Sequence, residues 1–270
     1  MRARILSAVL GVLLAGYVIG AGGWIFFVGI SAVNILSIYE LHEAFKKLNV
    51  HIAFNICSFF SFLLLYTASF MQDVFFIFVP FCIALMIIFI FLYSIINNNR
   101  NDFTDVVFTV FTFVYTSVLF TYFILTRSLP LGKQLVWWIF IITWACDIGA
   151  FLAGTMFGKK KITPTISPHK TLEGSIGGLL ISVIISVIFA KMFLAEVSVL
   201  NALILGIIIG ICSQLGDISA SLIKRCCGIK DFSNIIPGHG GILDRFDSAL
   251  FSFPAAYYYI AIILNKGGFL

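Results

Sequence analysis

Long apolar runs separated by short polar stretches dominate the chain. A helix needs roughly 20 apolar residues to cross the hydrocarbon core of a bilayer. Nine such runs lie at 5–20, 22–40, 51–70, 75–96, 105–126, 135–155, 175–194, 199–220 and 249–265. They are continuous, unlike the alternating ten-residue strands of membrane β-barrels. The pattern predicts an all-α polytopic membrane protein with about nine transmembrane helices.

Composition supports this class. Of the 270 residues, 61% are hydrophobic and 11% are charged, whereas about 25% are charged in a typical soluble domain. So few charges could not cover the surface of a soluble fold. The chain is therefore predicted to be a single membrane domain over residues 1–270. No soluble basic domain is expected, which argues against nucleic-acid binding.

The basic residues predict the orientation through the positive-inside rule. With nine spans and a cytosolic N-terminus, four of the 17 basic residues fall outside, namely Arg127, Lys133, Lys191 and Lys266. The other 13 fall on the cytosolic side. An alternative is that Arg2, Arg4 and the first run form a cleavable signal peptide. Because no hydrophilic domain follows, an uncleaved first span is the simpler interpretation.

The chain has six cysteines, four of them within predicted spans. Buried free cysteines behave as small apolar residues. Cys226 and Cys227 are adjacent and predicted to be cytosolic and reduced. Their spacing is not that of a zinc site, so no chemistry is assigned to them.

A carboxylate within an apolar run is the first candidate for chemistry. Asp147 lies inside the sixth predicted span. A charge at that depth costs several kcal/mol unless it is paired or hydrated, so it is a functional-site hypothesis by default. The alternative is a structural ion pair with a neighbouring Lys or Arg.

Two further groups of polar residues lie near the cytosolic ends of spans eight and nine. Asp217, Ser221 and Lys224 are spaced i, i+4 and i+7 and share a helical face. Asp244 and Asp247 are i, i+3 neighbours, and like charges that close repel each other. A divalent cation relieves such repulsion, and hard carboxylate ligands suit Mg²⁺.

A glycine-rich turn, Pro237-Gly-His239-Gly240-Gly241, lies between these groups. Glycines allow positive φ and close approach of the backbone to a ligand, and successive N–H groups can form an anion nest. Basic and acidic residues flank the turn, namely Lys224, Arg225, Lys230, Asp244, Arg245 and Asp247. The combination predicts a phosphate site, and the alternative is a solvated loop between helices.

A second polar connection, Gly158 to Gly174, is also predicted to be cytosolic. Lys159, Lys160 and Lys161 are typical of a solvated topology signal. Lys170, Thr171 and Glu173 immediately precede span seven. Thr171 could bind a ligand or simply cap the helix.

These residues resemble a known family. The 27 positions from Ser221 to Asp247 are similar to the signature of the phosphatidate cytidylyltransferases, also called CDP-diacylglycerol synthases, of the bacterial type. The run Ser167-Pro-His-Lys170-Thr171-Leu-Glu173-Gly174 resembles the family's second motif. The family commonly has a hydroxyl residue after the aspartate that corresponds to Asp147 and a Tyr soon after. This chain has Ile148 and Phe151 at those places.

The resemblance implies that CTP and phosphatidic acid give CDP-diacylglycerol and pyrophosphate with Mg²⁺. We expect Asp217 and Asp244 to bind Mg²⁺, and Asp147 and Asp247 to act in its outer shell or on a second cation. The other residues assigned to catalysis are Lys224, Arg225, Lys230, Asp231, His239 and Arg245. Those assigned to substrate binding are Ser167, Lys170, Thr171, Glu173, Ser221, Gly240 and Gly241.

The resemblance also implies a homodimer in the bacterial inner membrane. Residues 1–130 would supply support and dimer or lipid contacts, and residues 131–270 would carry the chemistry. The alternatives are another CTP-dependent membrane enzyme, such as a polyprenol kinase or a CDP-archaeol synthase, and a cation or phosphate transporter. Transport sites lie near the midplane on broken helices, whereas the charges here gather at the cytosolic edge.

Overall fold

A computed structural model of the chain describes residues 2–96, 103–236 and 240–265, with side chains from residue 9 to residue 263. The helices of the first half are α1 (Arg2–Ala21), α2 (Gly23–Lys46), α3 (Phe54–Phe70), α4 (Gln72–Ile96) and α5 (Phe103–Thr112). The later helices are α6 (Leu119–Ser128), α7 (Gly132–Phe157), α8 (Leu172–Phe193), α9 (Val199–Cys226) and α10 (Leu243–Tyr259). Two π-helical segments, Phe113–Val118 and Ile260–Asn265, join α5 to α6 and extend α10.

The all-α prediction is confirmed, and the chain is a multi-pass membrane protein. Seven helices in the described part of the chain are long and apolar enough to cross a bilayer. They are Gly23–Lys46, Gln72–Ile96, Phe103–Ser128, Gly132–Phe157, Leu172–Phe193, Val199–Cys226 and Leu243–Ile263. The apolar helices Val9–Ala21 and Phe54–Phe70 are shorter. The total of nine spans and the cytosolic N-terminus stay predictions.

The polar connections are shorter and more ordered than the sequence pattern suggests. The predicted connection from Ser221 to Asp247 reduces to residues 227–242, because α9 continues to Cys226 and α10 begins at Leu243. The other connection contains an antiparallel hairpin, β1 (Lys161–Thr163) and β2 (Ser167–Thr171), which pairs Lys161 with Thr171. No strand was expected here, because the sequence pattern predicted an all-α fold and the Lys159–Lys161 run was interpreted as a topology signal.

The chain divides into two compact units. The first unit comprises Met1–Leu125 and Cys226–Arg245, and the second comprises Thr126–Arg225 and Phe246–Leu270. The predicted roles, support and dimer or lipid contacts for residues 1–130 and chemistry for residues 131–270, stay predictions.

Polar side chains hold the helices of the first unit together at several depths. The Asp105 carboxylate accepts from the backbone N–H of His51 at 2.7 Å. The Thr109 hydroxyl accepts from the N–H of Ala53 at 3.0 Å. Deeper in the unit, the hydroxyls of Ser61 and Ser117 hydrogen-bond to each other. These bonds fix α5 and the first π-helical segment against the start and the middle of α3.

Small residues allow close packing in the second unit. A Cβ on Gly178 of α8 would lie 2.7 Å from the Cys146 carbonyl oxygen of α7, so only glycine permits this approach. The Ser182 hydroxyl of α8 donates to the Gly206 carbonyl of α9 at 3.0 Å, and the Ser186 hydroxyl donates to the Ala202 carbonyl at 2.6 Å. Small residues and interhelical hydrogen bonds are the usual means of helix association in membranes. This packing sets the positions of α7, α8 and α9, from which the polar groups of the unit project.

Candidate active site

An ion pair joins two of the predicted site residues in the second unit. The Lys170 ammonium, at the end of β2, lies 2.6 Å from Oδ2 of Asp217 on α9. The Lys170 side chain is 23% exposed and that of Asp217 is 36% exposed, and the Lys170 Nζ atom itself is buried beside the carboxylate. The hydroxyl of Ser221, one turn further along α9, lies 3.5 Å from the other Asp217 oxygen. The predicted polar face of α9 is therefore present, and Lys170, which is distant in sequence, pairs with it.

Asp147 belongs to the same group. Its Oδ1 lies 3.4 Å from the Ser213 hydroxyl of α9 and 3.5 Å from the Ser248 hydroxyl of α10. The Asp147 side chain is otherwise exposed and has no short ion pair among the described residues. Sequence reasoning missed both serines, although Ser213 is a polar position within an apolar run and Ser248 immediately precedes one. The structural ion pair considered as an alternative for Asp147 is not formed here.

Asp247 and Lys224 lie deeper in this unit. Asp247 is 9% exposed, and its Oδ1 accepts the N–H of Ser248 at 2.7 Å. Lys224 is also 9% exposed, and its charge acts favourably on Asp247. A Cβ on Gly216 would clash with the Asp247 carbonyl oxygen, so glycine lets α9 and α10 approach closely here.

Three carboxylates and two lysines thus form one group, which we call the acidic cluster (Asp147, Lys170, Asp217, Lys224 and Asp247). Ser248 links two of the carboxylates, because its hydroxyl lies 3.5 Å from Asp147 and its N–H donates to Asp247. The cluster supplies hard oxygen ligands, which suit Mg²⁺. In the described part of the chain, no three potential ligands are close enough to hold a metal by themselves. Mg²⁺ usually takes only one or two carboxylates and fills its shell with waters and substrate phosphates, so the donor set fits this ion.

The glycine-rich turn lies in the first unit, where Asp244 shapes it. One oxygen of Asp244, Oδ2, accepts the backbone N–H groups of Phe232 at 2.9 Å and Gly241 at 3.0 Å. Gly240 has a φ of +80°, which favours glycine, and its carbonyl accepts from the Ile236 N–H at 3.0 Å. The N–H of Gly241 is therefore engaged within the turn. Pro237, Gly238 and His239 lie outside the described residues.

A carboxylate that sequence reasoning missed also contacts this turn. Glu40 of α2 is fully buried. Its Oε1 accepts from the Ser233 hydroxyl at 2.5 Å and from the Ile242 N–H at 2.7 Å, and its Oε2 accepts from the Leu243 N–H at 2.7 Å. A lone acidic residue in an apolar run was a signal that could have identified it.

The hairpin connection is closed by its own polar groups. Glu173 accepts the N–H of Lys159 at 3.0 Å and that of Lys160 at 3.2 Å. Thr171 caps α8, accepting the N–H of Gly174 at 3.2 Å, as the capping alternative predicts. Nε of Arg225 donates to the Ile166 carbonyl at 3.2 Å. These contacts hold β2 against α8 and α9, which places Lys170 beside Asp217.

The remaining predicted residues are distributed along the same segments. Lys230, Asp231 and Arg245 are exposed in the first unit, and Ser167 is half-buried in β2. The two positions that depart from the family pattern, Ile148 and Phe151, are 60% and 68% exposed. They do not take part in the polar contacts of Asp147.

The fold and these charged groups define a class: a multi-pass helical membrane protein with acidic and basic side chains gathered at helix ends. The chain belongs to the cytidylyltransferase family, whose profile matches residues 2–263. It is similar to the phosphatidate cytidylyltransferase of Staphylococcus haemolyticus (strain JCSC1435), with 41% identity over 162 residues. The enzyme of the same name from Staphylococcus aureus (strain COL) is 42% identical over 164 residues.

Each of these alignments covers 60% of this chain and 62% of the relative's length. The profile match over residues 2–263 confirms the predicted membership of the family.

Proposed function

We propose that the chain is a phosphatidate cytidylyltransferase that converts CTP and phosphatidic acid into CDP-diacylglycerol and pyrophosphate. The observation that carries the proposal is the Lys170–Asp217 ion pair. It joins the Ser167–Gly174 segment, which resembles one family motif, to α9 one turn before Ser221, where the other motif begins. We further propose that Mg²⁺ is required and that the protein works as a homodimer. The two relatives carry the name phosphatidate cytidylyltransferase, which supports these substrates.

The reaction forms one phosphorus–oxygen bond and breaks another. A phosphate oxygen of the lipid attacks the α-phosphorus of CTP, and the bond between the α-phosphorus and the bridging oxygen breaks to release pyrophosphate. A phosphate monoester has a second pKa near 6, so the nucleophile is largely ionised at pH 7 and needs no general base. Positioning and charge neutralisation then supply most of the rate enhancement.

The side chains divide this work between them. The Lys170 ammonium has three N–H donors, so it can meet a phosphate oxygen while it stays paired with Asp217. Lys224, Arg225, Lys230 and Arg245 neutralise the triphosphate or the lipid phosphate, and His239 orients a phosphate.

Asp217, with Asp147 and Asp247, would hold Mg²⁺ in the second unit. The assignment of Asp244 as a ligand stays a prediction from the sequence. The ion would draw charge from the triphosphate. Ser167 and Lys170 contact the lipid head group or the cytidine.

The activity test uses the purified protein in detergent with CTP, phosphatidic acid and Mg²⁺. CDP-diacylglycerol and pyrophosphate should form in equal amounts, and chelation of Mg²⁺ should reduce turnover at least roughly 100-fold. Re-addition of Mg²⁺ is the control for denaturation. A protein that instead phosphorylates a polyprenol with CTP, or forms no product while folded, would contradict the proposal.

We also propose that the protein lies in the bacterial inner membrane with its charged clusters in the cytosol. Cys226 is exposed, whereas Cys227 is buried, and burial raises the pKa of the Cys227 thiol. A raised pKa leaves less thiolate at pH 7, and thiolate is the reactive form. A membrane-impermeant maleimide should therefore label Cys226 only, and only in inside-out vesicles.

The control for this labelling is Cys226→Ser, which should remove the signal. Labelling of Cys227 should increase as the pH rises toward its pKa. A Cys226 signal in right-side-out vesicles would place the clusters on the opposite face.

A further inference from the structure

A buried carboxylate that is distant in sequence from the family-like segments accepts hydrogen bonds from residues on both sides of the glycine-rich turn. Glu40 accepts three hydrogen bonds, one from Ser233 and two from the N–H groups of Ile242 and Leu243. Among the described residues, no basic side chain lies within ion-pair distance of it. A buried charge is costly unless it is paired or hydrogen-bonded. The three donors therefore both compensate Glu40 and depend on it.

Two of the three donors begin a helix. The N–H groups of Ile242 and Leu243 start α10, which runs from Leu243, and the first N–H groups of a helix have no partner within the helix. A carboxylate at this end also interacts favourably with the helix dipole. Glu40 thus supplies the cap of α10 from α2, about 200 residues earlier in the chain. Among the described residues of the turn, no side chain accepts these two N–H groups.

The steric fit of the turn points to the same residue. A Cβ on Gly241 would have three carboxyl atoms of Glu40 as its nearest neighbours, at 2.7–2.9 Å. Gly241 does not have a positive φ, so its backbone conformation does not require glycine. Glycine is required because the Glu40 carboxylate occupies the space that a Cβ would need. The family-like glycine at this position is therefore explained by the carboxylate behind it.

We propose that Glu40 is a positioning residue that sets the conformation of residues 232–236 and 240–243 and of the first turn of α10, which carries Asp244 and Arg245. Its effect on turnover rests on the proposed function, whereas its effect on the backbone does not. Glu40 acts through the turn, by fixing the N–H groups beside which Asp244 makes its own two hydrogen bonds.

The acceptor-only chemistry of a carboxylate decides the choice of variants. In Glu40→Gln, one oxygen can still accept from Ser233 and Ile242, but the NH₂ group then faces the N–H of Leu243. A donor facing a donor cannot form a hydrogen bond. The loss of one charge-assisted bond corresponds to roughly a tenfold change in an equilibrium. We expect Glu40→Gln to lower kcat/KM about tenfold and Glu40→Ala about 100-fold, mainly through kcat.

The first readout is hydrogen exchange of the 241–243 amides, measured without substrate. We expect exchange to rise at least about tenfold in Glu40→Gln and further in Glu40→Ala. The matched control is Glu43→Gln, because Glu43 lies on the same helix but is exposed and paired with Lys46. It should change neither the exchange nor turnover. Unchanged protection at 241–243 in a folded Glu40→Gln protein overturns the proposal, whatever the activity is.

The second readout is a double-mutant cycle. Gly241→Ala alone should lower kcat/KM about 100-fold, since the added methyl displaces the Glu40 carboxylate. In the Glu40→Ala background the same substitution should cost less than about threefold, because the obstructing atoms are gone. If the fold-loss of the double variant equals the product of the two single fold-losses, Glu40 does not act through the turn. If Glu40→Ala does not fold, Glu40→Asp replaces it, since the shorter side chain also vacates this space.

The two proposals fail in different ways. A protein that turns over CTP normally but shows no coupling between Glu40 and Gly241 disproves the positioning role alone. A protein that shows the coupling in hydrogen exchange but has no cytidylyltransferase activity disproves the proposed function alone.

Discussion

Asp217→Asn is expected to lower kcat/KM for CTP roughly 1000-fold, which corresponds to about 4 kcal/mol of transition-state stabilisation. Asn keeps the size of the side chain but removes the charge that would bind Mg²⁺ and that pairs with Lys170. Amides are weaker ligands than carboxylates for this hard cation. The substitution should also raise the Mg²⁺ concentration needed for half-maximal rate. Steady-state rates over a Mg²⁺ titration measure both effects.

Lys170 provides the comparison that separates a metal ligand from a structural ion-pair partner. Lys170→Met should lower kcat/KM about 10- to 100-fold, mainly by weakening substrate binding. If Asp217 only held Lys170 in place, the two single variants and the double variant would lose equal activity, and the Mg²⁺ dependence would not change. That outcome would remove Asp217 from the metal site. Asp73→Asn, an exposed aspartate in the first turn of α4, is the control for loss of a carboxylate.

Features set by local spacing could be predicted from the sequence. Helix periodicity alone places Asp217, Ser221 and Lys224 on one face, and the structure has all three on α9 with the Ser221 hydroxyl near Asp217. The apolar runs likewise predicted the membrane-spanning class, because a helix must satisfy its own backbone in lipid. The π-helical segment Phe113–Val118 was not predicted, since nothing in its apolar sequence distinguishes it from an α-helix.

Contacts between distant segments could not be predicted from one sequence. Lys170 and Asp217 are in contact because α8 packs on α7 and α9 through glycine and serine positions. Lys170 also depends on a hairpin that Glu173 closes through backbone groups. The periodicity of apolar residues carries no information about such contacts between distant segments. Glu40 is the extreme case, since its partners lie about 200 residues away.

The glycine-rich turn shows how a correct signal can have a different physical cause. The sequence pattern indicated close approach of the backbone to a ligand at Gly240 and Gly241. In the structure, Gly240 adopts a positive φ, while Gly241 is approached closely by Glu40. The N–H of Gly241 bonds to Asp244. A glycine motif therefore indicates that another group approaches the backbone closely, and only the structure identifies that group as the Glu40 carboxylate.

Asp244→Ala is expected to reduce turnover at least roughly 1000-fold. Two causes could contribute, the loss of the negative charge and the loss of the hydrogen bonds to the turn, and Asp244→Asn distinguishes them. In the structure a single oxygen, Oδ2, accepts both the Phe232 and Gly241 N–H groups. Asn keeps one carbonyl oxygen with two lone pairs, so it can preserve the turn while it loses the charge. If the charge acts on Mg²⁺ or on the triphosphate, Asp244→Asn loses as much activity as Asp244→Ala.

Hydrogen exchange of the Phe232 and Gly241 amides shows whether the turn survives in each variant. We expect near-normal protection in Asp244→Asn together with the full loss of activity, and lost protection in Asp244→Ala. The matched control is Asp73→Ala, which removes an aspartate from the first turn of another helix and should leave turnover unchanged. Near-normal activity in Asp244→Asn would mean that Asp244 serves the turn alone. The acidic ligands of the cation would then come from the acidic cluster, since Asp147, Asp217 and Asp247 remain.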